Sequence, residues 1–149
     1  MNEYPSTSAA ALIPAPLSPP LNPPPRILVV DDDEDIRRLN TEALADAGFT
    51  VDAAADGAAA WAAINAARYD LLVTDNKMPN VTGVELLKLV QGAQMALPVI
   101  MASGTLPLEE FDRQPSLKPA AMLCKPYLLE ALVQTVRKVL GGRPLTNMG

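Results

Sequence analysis

A chain of 149 residues, 49% hydrophobic and with a net charge of −5, can build one domain-sized core, and its acidic balance argues against a phosphate-backbone partner. No apolar run nears the roughly 18 residues that cross a bilayer, and no Lys or Arg precedes Arg26 to open an export signal. A lone Cys124 cannot form an internal disulfide, which fits a reducing cytoplasm, and the absence of histidine excludes Ser-His or Cys-His catalysis, a His-ligated metal and a phosphohistidine of the chain's own.

Residues 1–25 hold eight of the fifteen prolines, ending in Pro23-Pro24-Pro25. Proline fixes φ and removes amide donors, so this stretch is expected to be an extended, disordered tail, with Pro16 to Pro19 as one turn that a docking partner could read. From Arg26 the texture changes. Ile27 to Val30 is a continuous apolar run, the pattern of a strand buried on both faces of a parallel sheet. Ile36, Leu39, Ala43, Leu44 and Ala47 follow at helical spacing, and Gly48 sits where a helix would close. Phe49, Val51 and Ala53 alternate as a second strand, and a helix from about Ala58 to Ala66 carries Trp61 and Ile64. Leu71 to Val73 is a third strand, followed by a helix after Gly83 with Val84, Leu87 and Val90 facing inward. Val99 to Met101 is a fourth strand. Pro107, Pro115 and Pro119 leave room for only a short helix around Leu108 to Arg113. Ala121 to Cys124 reads as a fifth, buried strand, in which Cys124 acts as a small hydrophobe. Leu129, Leu132, Val133, Val136 and Leu140 stripe a last helix. Alternating strands and helices imply an α/β fold, a five-stranded parallel sheet covered on both faces, over residues 26–141, with 142–149 as a short tail.

The polar residues gather at strand ends. Asp31 and Asp32 follow strand one, Asp75 strand three, Ser103 strand four and Lys125 strand five. In doubly wound sheets ligands bind outside the carboxyl ends of the strands, so these five should meet at one edge. Paired aspartates ahead of a helix are by themselves ordinary caps. Three carboxylates held together repel and call for a positive charge, which a hard divalent cation supplies. With an ammonium and a hydroxyl beside them, such a site suits a phosphoryl group transferred to a carboxylate.

Four segments carry a resemblance: Ile27 to Asp33 (ILVVDDD), Val73 to Gly83 (VTDNKMPNVTG), Val99 to Gly104 (VIMASG) and Lys125-Pro126-Tyr127. In order and spacing they resemble the signatures of the response-regulator receiver family of two-component systems. The resemblance implies a flavodoxin-like sheet of order 2-1-3-4-5 and phosphorylation by a sensor histidine kinase or a histidine phosphotransfer protein, using Mg²⁺ or Mn²⁺. Asp75 matches the phospho-acceptor, Asp32 the direct metal ligand and Asp31 the residue supporting the ion. The backbone carbonyl of Lys77 matches a further ligand. Ser103 matches the hydroxyl that grips phosphoryl oxygens, and Lys125 the lysine that pairs with acceptor and phosphate, its bond to Pro126 expected to be cis. Gly104 is small where bulk would crowd the phosphoryl group.

The chain departs from the family on the output side. Met122 stands where a Tyr or Phe is common, Lys118-Pro119 replaces a Gly-Ala pair, and Leu128 occupies a helix-capping position. Two other readings share the fold or the chemistry: a scaffold indifferent to phosphorylation, and a hydrolase working through an aspartyl-phosphate. A calcium-loop reading of Asp31, Asp33 and Asp35 fails at the sixth position, which needs Gly for a sharp turn and holds Ile36. With only residues 142–149 beyond the domain, output is expected through protein–protein contact with an unidentified partner, without nucleic acid or membrane insertion.

Overall fold

The computed structural model describes residues 23–141. The expectations for residues 1–22 and 142–149 lie outside them.

Strands β1 (Arg26–Val30), β2 (Thr50–Ala54), β3 (Leu71–Thr74), β4 (Val99–Ser103) and β5 (Ala121–Cys124) alternate with helices. These are α1 (Glu34–Asp46), α2 (Gly57–Ala66), α3 (Gly83–Gly92), α4 (Leu108–Arg113) and α5 (Leu129–Gly141). All strand pairs are parallel, in the order β2-β1-β3-β4-β5, as the family resemblance implies.

The apolar runs explain the layering. Successive side chains of a strand point to opposite faces, so Ile27 and Val29 serve one core while Leu28 and Val30 serve the other. On the first face Leu44 of α1 and Leu132 and Val136 of α5 cover Leu71, Val73, Ile100 and Ala102. On the second, Ala60 and Ile64 of α2 and Val84, Leu87 and Val90 of α3 cover Leu72 and Met101. β1, β3 and β4 are sheathed on both sides and are buried almost throughout.

Local chemistry sets the helix ends. Asp33, not Asp31 or Asp32, caps α1: its Oδ1 accepts from the amides of Asp35 and Ile36. Gly48 follows the Ala47 cap with φ of 104°, the left-handed conformation that a side chain would oppose. Thr82 and Glu85 close a reciprocal capping box on α3.

One expectation is corrected. Cys124 is exposed, and so is Met122. The sheet order leaves β5 at an edge, where only Ala121 and Leu123 turn toward the core that α5 covers. The strand alternates, so Met122 and Cys124 emerge on the other face, and the six-residue α4 that precedes the strand buries none of its residues.

At the end of the sheet away from the strand C-termini, Asp52 Oδ2 accepts from Arg26 Nη2 at 2.8 Å and from the Tyr69 hydroxyl at 2.7 Å. The Arg26 guanidinium also lies 5.1 Å from the Tyr69 ring centroid. The Tyr69 hydrogen bond, and then that of Arg26, hold the Asp52 carboxyl below the usual carboxylate range.

Two outcomes follow. Leu28 is fully buried, so Leu28→Ala is expected to lower the unfolding free energy by about 2–5 kcal/mol in urea titrations. Because the folded pKa of Asp52 is depressed, its contribution is present above the unfolded value of about 3.9 and fades as pH falls through the folded one. Asp52→Asn should therefore flatten the loss of stability below about pH 4, modestly because the pair is partly solvated.

Candidate functional site

The parallel register brings the strand ends level: Val30 pairs with Thr74, and Ser103 with Cys124. The ladder runs one residue further, since the Asp75 amide donates to the Val30 carbonyl at 3.0 Å and the Lys125 amide to the Ser103 carbonyl at 3.0 Å. Asp31, Asp75 and Lys125 thus leave the sheet at one rim, with Ser103 buried between them on β4.

Asp31, Asp32 and Asp75 each place a carboxylate oxygen within 4.8 Å of the others. Asp31 and Asp75 are buried, at 2% and 7% exposure, while Asp32 is exposed and opens the cluster to solvent. Lys125 directly follows β5, the strand farthest from β1 on this side, and its long side chain reaches back toward β3 and β1. Its Nζ donates to Asp31 Oδ2 at 2.8 Å and to Asp75 Oδ2 at 3.2 Å. The Lys125–Pro126 bond is cis.

The backbone around the acids is tied down. Asp31 Oδ1 accepts from the Asp33 amide, and Arg37 Nη1 donates to the Asp31 carbonyl at 2.9 Å. Asp75 Oδ1 accepts from the Asn76 amide at 2.7 Å. Asn76 then holds α3 beneath the site: its carbonyl and side-chain oxygens accept from the amides of Gly83 and Val84. At Gly83 a Cβ would collide with the Asp75 carbonyl and the Asn76 backbone, so the helix approaches this closely only without a side chain.

Burial pushes the Asp31 carboxyl up, and the hydrogen bond from Lys125 offsets only part of that. Burial also disfavours the Lys125 ammonium, but the hydrogen bond and charge of Asp31, with Asp75 behind it, raise Lys125 overall. The pair is therefore lopsided: the ammonium gains from its neighbours while the Asp31 carboxylate carries a net desolvation cost. A second positive charge near the carboxylates would relieve that cost.

A model of the response regulator receiver domain matches residues 27–137. The chain belongs to that family. Receiver domains are signalling domains of two-component systems rather than enzymes in the usual sense, and they bind Mg²⁺ at an acidic pocket. The chain is 32% identical over 117 residues to the chemotaxis protein CheY of Pseudomonas aeruginosa, covering 76% of this chain and 94% of that protein. It is 35% identical over 124 residues to the transcriptional regulatory protein PrrA of Mycobacterium leprae, covering 82% of this chain and 52% of PrrA. Among solved structures, the chemotaxis response regulator CheY4 of Vibrio cholerae superposes with a TM-score of 0.70 at 33% identity, over 78% of this chain and 98% of that one.

Three hard oxygen donors in one cluster, one of them open to solvent, fit the Mg²⁺ that receivers take, and the donor chemistry excludes a soft-metal preference. Ser103 is 1% exposed, and its Oγ accepts from the Thr105 amide at 3.3 Å. A Cβ on Gly104 would meet no protein atom within 4 Å, so nothing in the packing demands glycine there. Lys77 is exposed in the loop after Asp75. Among the described residues no helix is long and apolar enough to cross a membrane.

Sequence reading missed Arg37 and Asn76. Both act on backbone groups of the site, and neither has a spacing that announces such a role. The Asn76 signal was its place directly after Asp75 and ahead of a helix.

The lopsided pair yields a testable sign. An aspartate with a raised folded pKa costs stability once pH climbs through its unfolded value of about 3.9. Without added cation at neutral pH, Asp31→Asn is expected to raise the melting temperature by scanning calorimetry. Added Mg²⁺ should stabilise the wild type and leave the variant nearly unmoved.

Proposed function

We propose that this receiver is a phosphorylation-driven switch in which Asp75 accepts a phosphoryl group from a partner's phosphohistidine. The observation that carries this reading is Asp75 itself: buried, beside two further carboxylates, and hydrogen-bonded at 3.2 Å by a lysine from the far side of the site. An oxygen of the Asp75 carboxylate attacks phosphorus and forms the new P–O bond. The P–N bond breaks, and its electron pair leaves with the donor imidazole. The donor is a sensor histidine kinase or a histidine phosphotransfer protein, because this chain has no histidine.

Asp31, Asp32, Asp75 and the Lys77 carbonyl would hold Mg²⁺ or Mn²⁺, which when bound supplies charge neutralisation to the carboxylates and the incoming phosphoryl oxygens. The chain's own groups do the rest. Lys125 holds the acceptor carboxylate before transfer and turns to the phosphoryl oxygens afterwards, so one ammonium compensates charge in both states. Ser103 donates its hydroxyl to a phosphoryl oxygen. Gly104 leaves open the space into which that group projects.

The output travels by protein–protein contact. Nucleic acid is not a partner of this domain in our reading, although relatives named as transcriptional regulators are about twice the matched length. A phosphorylation-independent scaffold is the second reading, favoured by Met122, which stands 42% exposed on the β5 edge and offers a constant apolar contact.

Incubation with acetyl phosphate and Mg²⁺ should add one phosphoryl group to the wild type by intact mass, none to Asp75→Asn, and none to the wild type in EDTA. Equal labelling of both proteins would overturn Asp75 as the acceptor. Partner binding and output unchanged in Asp75→Asn would favour the scaffold.

A further inference from the structure

Asn40 lies on α1 with 3% of its surface exposed. A buried amide is costly unless hydrogen-bonded, and among the described residues its partner is the hydroxyl of Tyr127, 2.8 Å from Nδ2 and 87 positions along the chain. Burial holds the Tyr127 phenol above its ordinary range, so it stays neutral and can accept that bond. Tyr127 is two residues past Lys125, in the turn that leads from β5 into α5. Asn40, Tyr127 and Lys125 line one groove of about 420 Å³, whose other walls, Ile36, Leu39, Pro126 and Leu129, are apolar. An apolar residue at 40 would suit such walls better. The amide contributes direction instead: a polar contact in an apolar setting selects one arrangement of the two segments it joins.

One helical turn earlier on the same face, Arg37 donates to the Asp31 carbonyl at 2.9 Å. Helix α1 therefore grips both ends of the Asp31–Lys125 pair, the acid through Arg37 and the base through Asn40 and Tyr127. Lysine needs such help more than most residues. Its flexible stem and freely rotating ammonium do not set their own geometry, and here Nζ must reach two carboxylates on different strands.

We infer that Asn40 is a positioning residue which, through the Tyr127 hydroxyl, holds the Lys125 turn so that its ammonium bridges Asp31 and Asp75. The consequence for phosphotransfer rests on the phosphoacceptor reading; the bridge itself does not.

The decisive variant is Tyr127→Phe, which deletes the hydroxyl and keeps the ring in place, with Asn40→Ala as a second approach from the helix side. Acetyl phosphate labelling with Mg²⁺ should slow about three- to tenfold in Tyr127→Phe, less than the roughly 10²-fold of a full 1 Å misplacement. A structural role alone would slow labelling whatever stands at 125, so the same change is made in Lys125→Met. Loss of the Tyr127→Phe effect in that background supports positioning through Lys125. Equal slowing in both backgrounds, or no slowing in the wild-type background, overturns it. The ¹⁵N resonance of the Lys125 ammonium gives an independent readout: it should shift in Tyr127→Phe and Asn40→Ala, and an unmoved resonance also overturns the proposal. Should the wild type take no phosphoryl group, the phosphoacceptor reading fails on its own, and the ammonium resonance still decides the brace.

Discussion

Two carboxylates buried side by side stay ionised only if positive charge stands against them, and in this protein that charge comes from Lys125. Its ammonium reaches Asp31 at 2.8 Å and Asp75 at 3.2 Å, bridging acids that leave different strands. Much of the surrounding architecture can be understood as what that bridge requires. The strand order sets β1 and β3 as neighbours with level ends, so their terminal aspartates meet. It sets β5 on the far side of β4, so a long side chain must cross to them. The carboxylates are then crowded enough that a further cation is favoured, because burial outweighs the help Asp31 receives from the lysine.

The supporting contacts divide between the two faces of the sheet. On one face α1 reaches both partners of the bridge, with Arg37 on the Asp31 carbonyl and Asn40 on Tyr127. On the other, α3 is drawn against Asp75 by Asn76, and Gly83 permits the approach. Hydrogen bonds involving backbone groups do most of this holding: one oxygen of each buried carboxylate accepts from a backbone amide, and the other faces the Lys125 ammonium. Such a site trades stability for readiness: charges that cost energy when empty of a guest are those best placed to receive one.

The β5 edge obeys different physics. The short α4 buries none of its residues, Met122 and Cys124 are exposed on β5, and Leu128 is exposed at the entry to α5. Family membership accounts for the acid cluster and its lysine. It says nothing about these exposed side chains.

Much was legible in the sequence because it was written in local terms. Continuous apolar runs at Ile27 to Val30 and Leu71 to Val73 marked strands covered on both faces, and Gly48 marked a helix end. The aspartates, Ser103 and Lys125 each follow or end a strand, so the general rule for parallel sheets was enough to gather them at one rim. Other features depended on which elements became neighbours, and periodicity along the chain carries no information about that. Cys124 looked buried because its strand is apolar, yet strand order placed that strand at an edge, where its alternate residues turn toward the core under α5 and Cys124 turns out. Asp33 rather than its neighbours became the cap because α1 begins at Glu34, while Asp31 meets the lysine. Asn40 carried no signal in the sequence, and nothing tied it to Tyr127, 87 positions away in the Lys125-Pro126-Tyr127 segment. Only packing α1 beside the β5–α5 turn made them partners, because a hydrogen bond depends on distance in space, and the fold alone sets that distance.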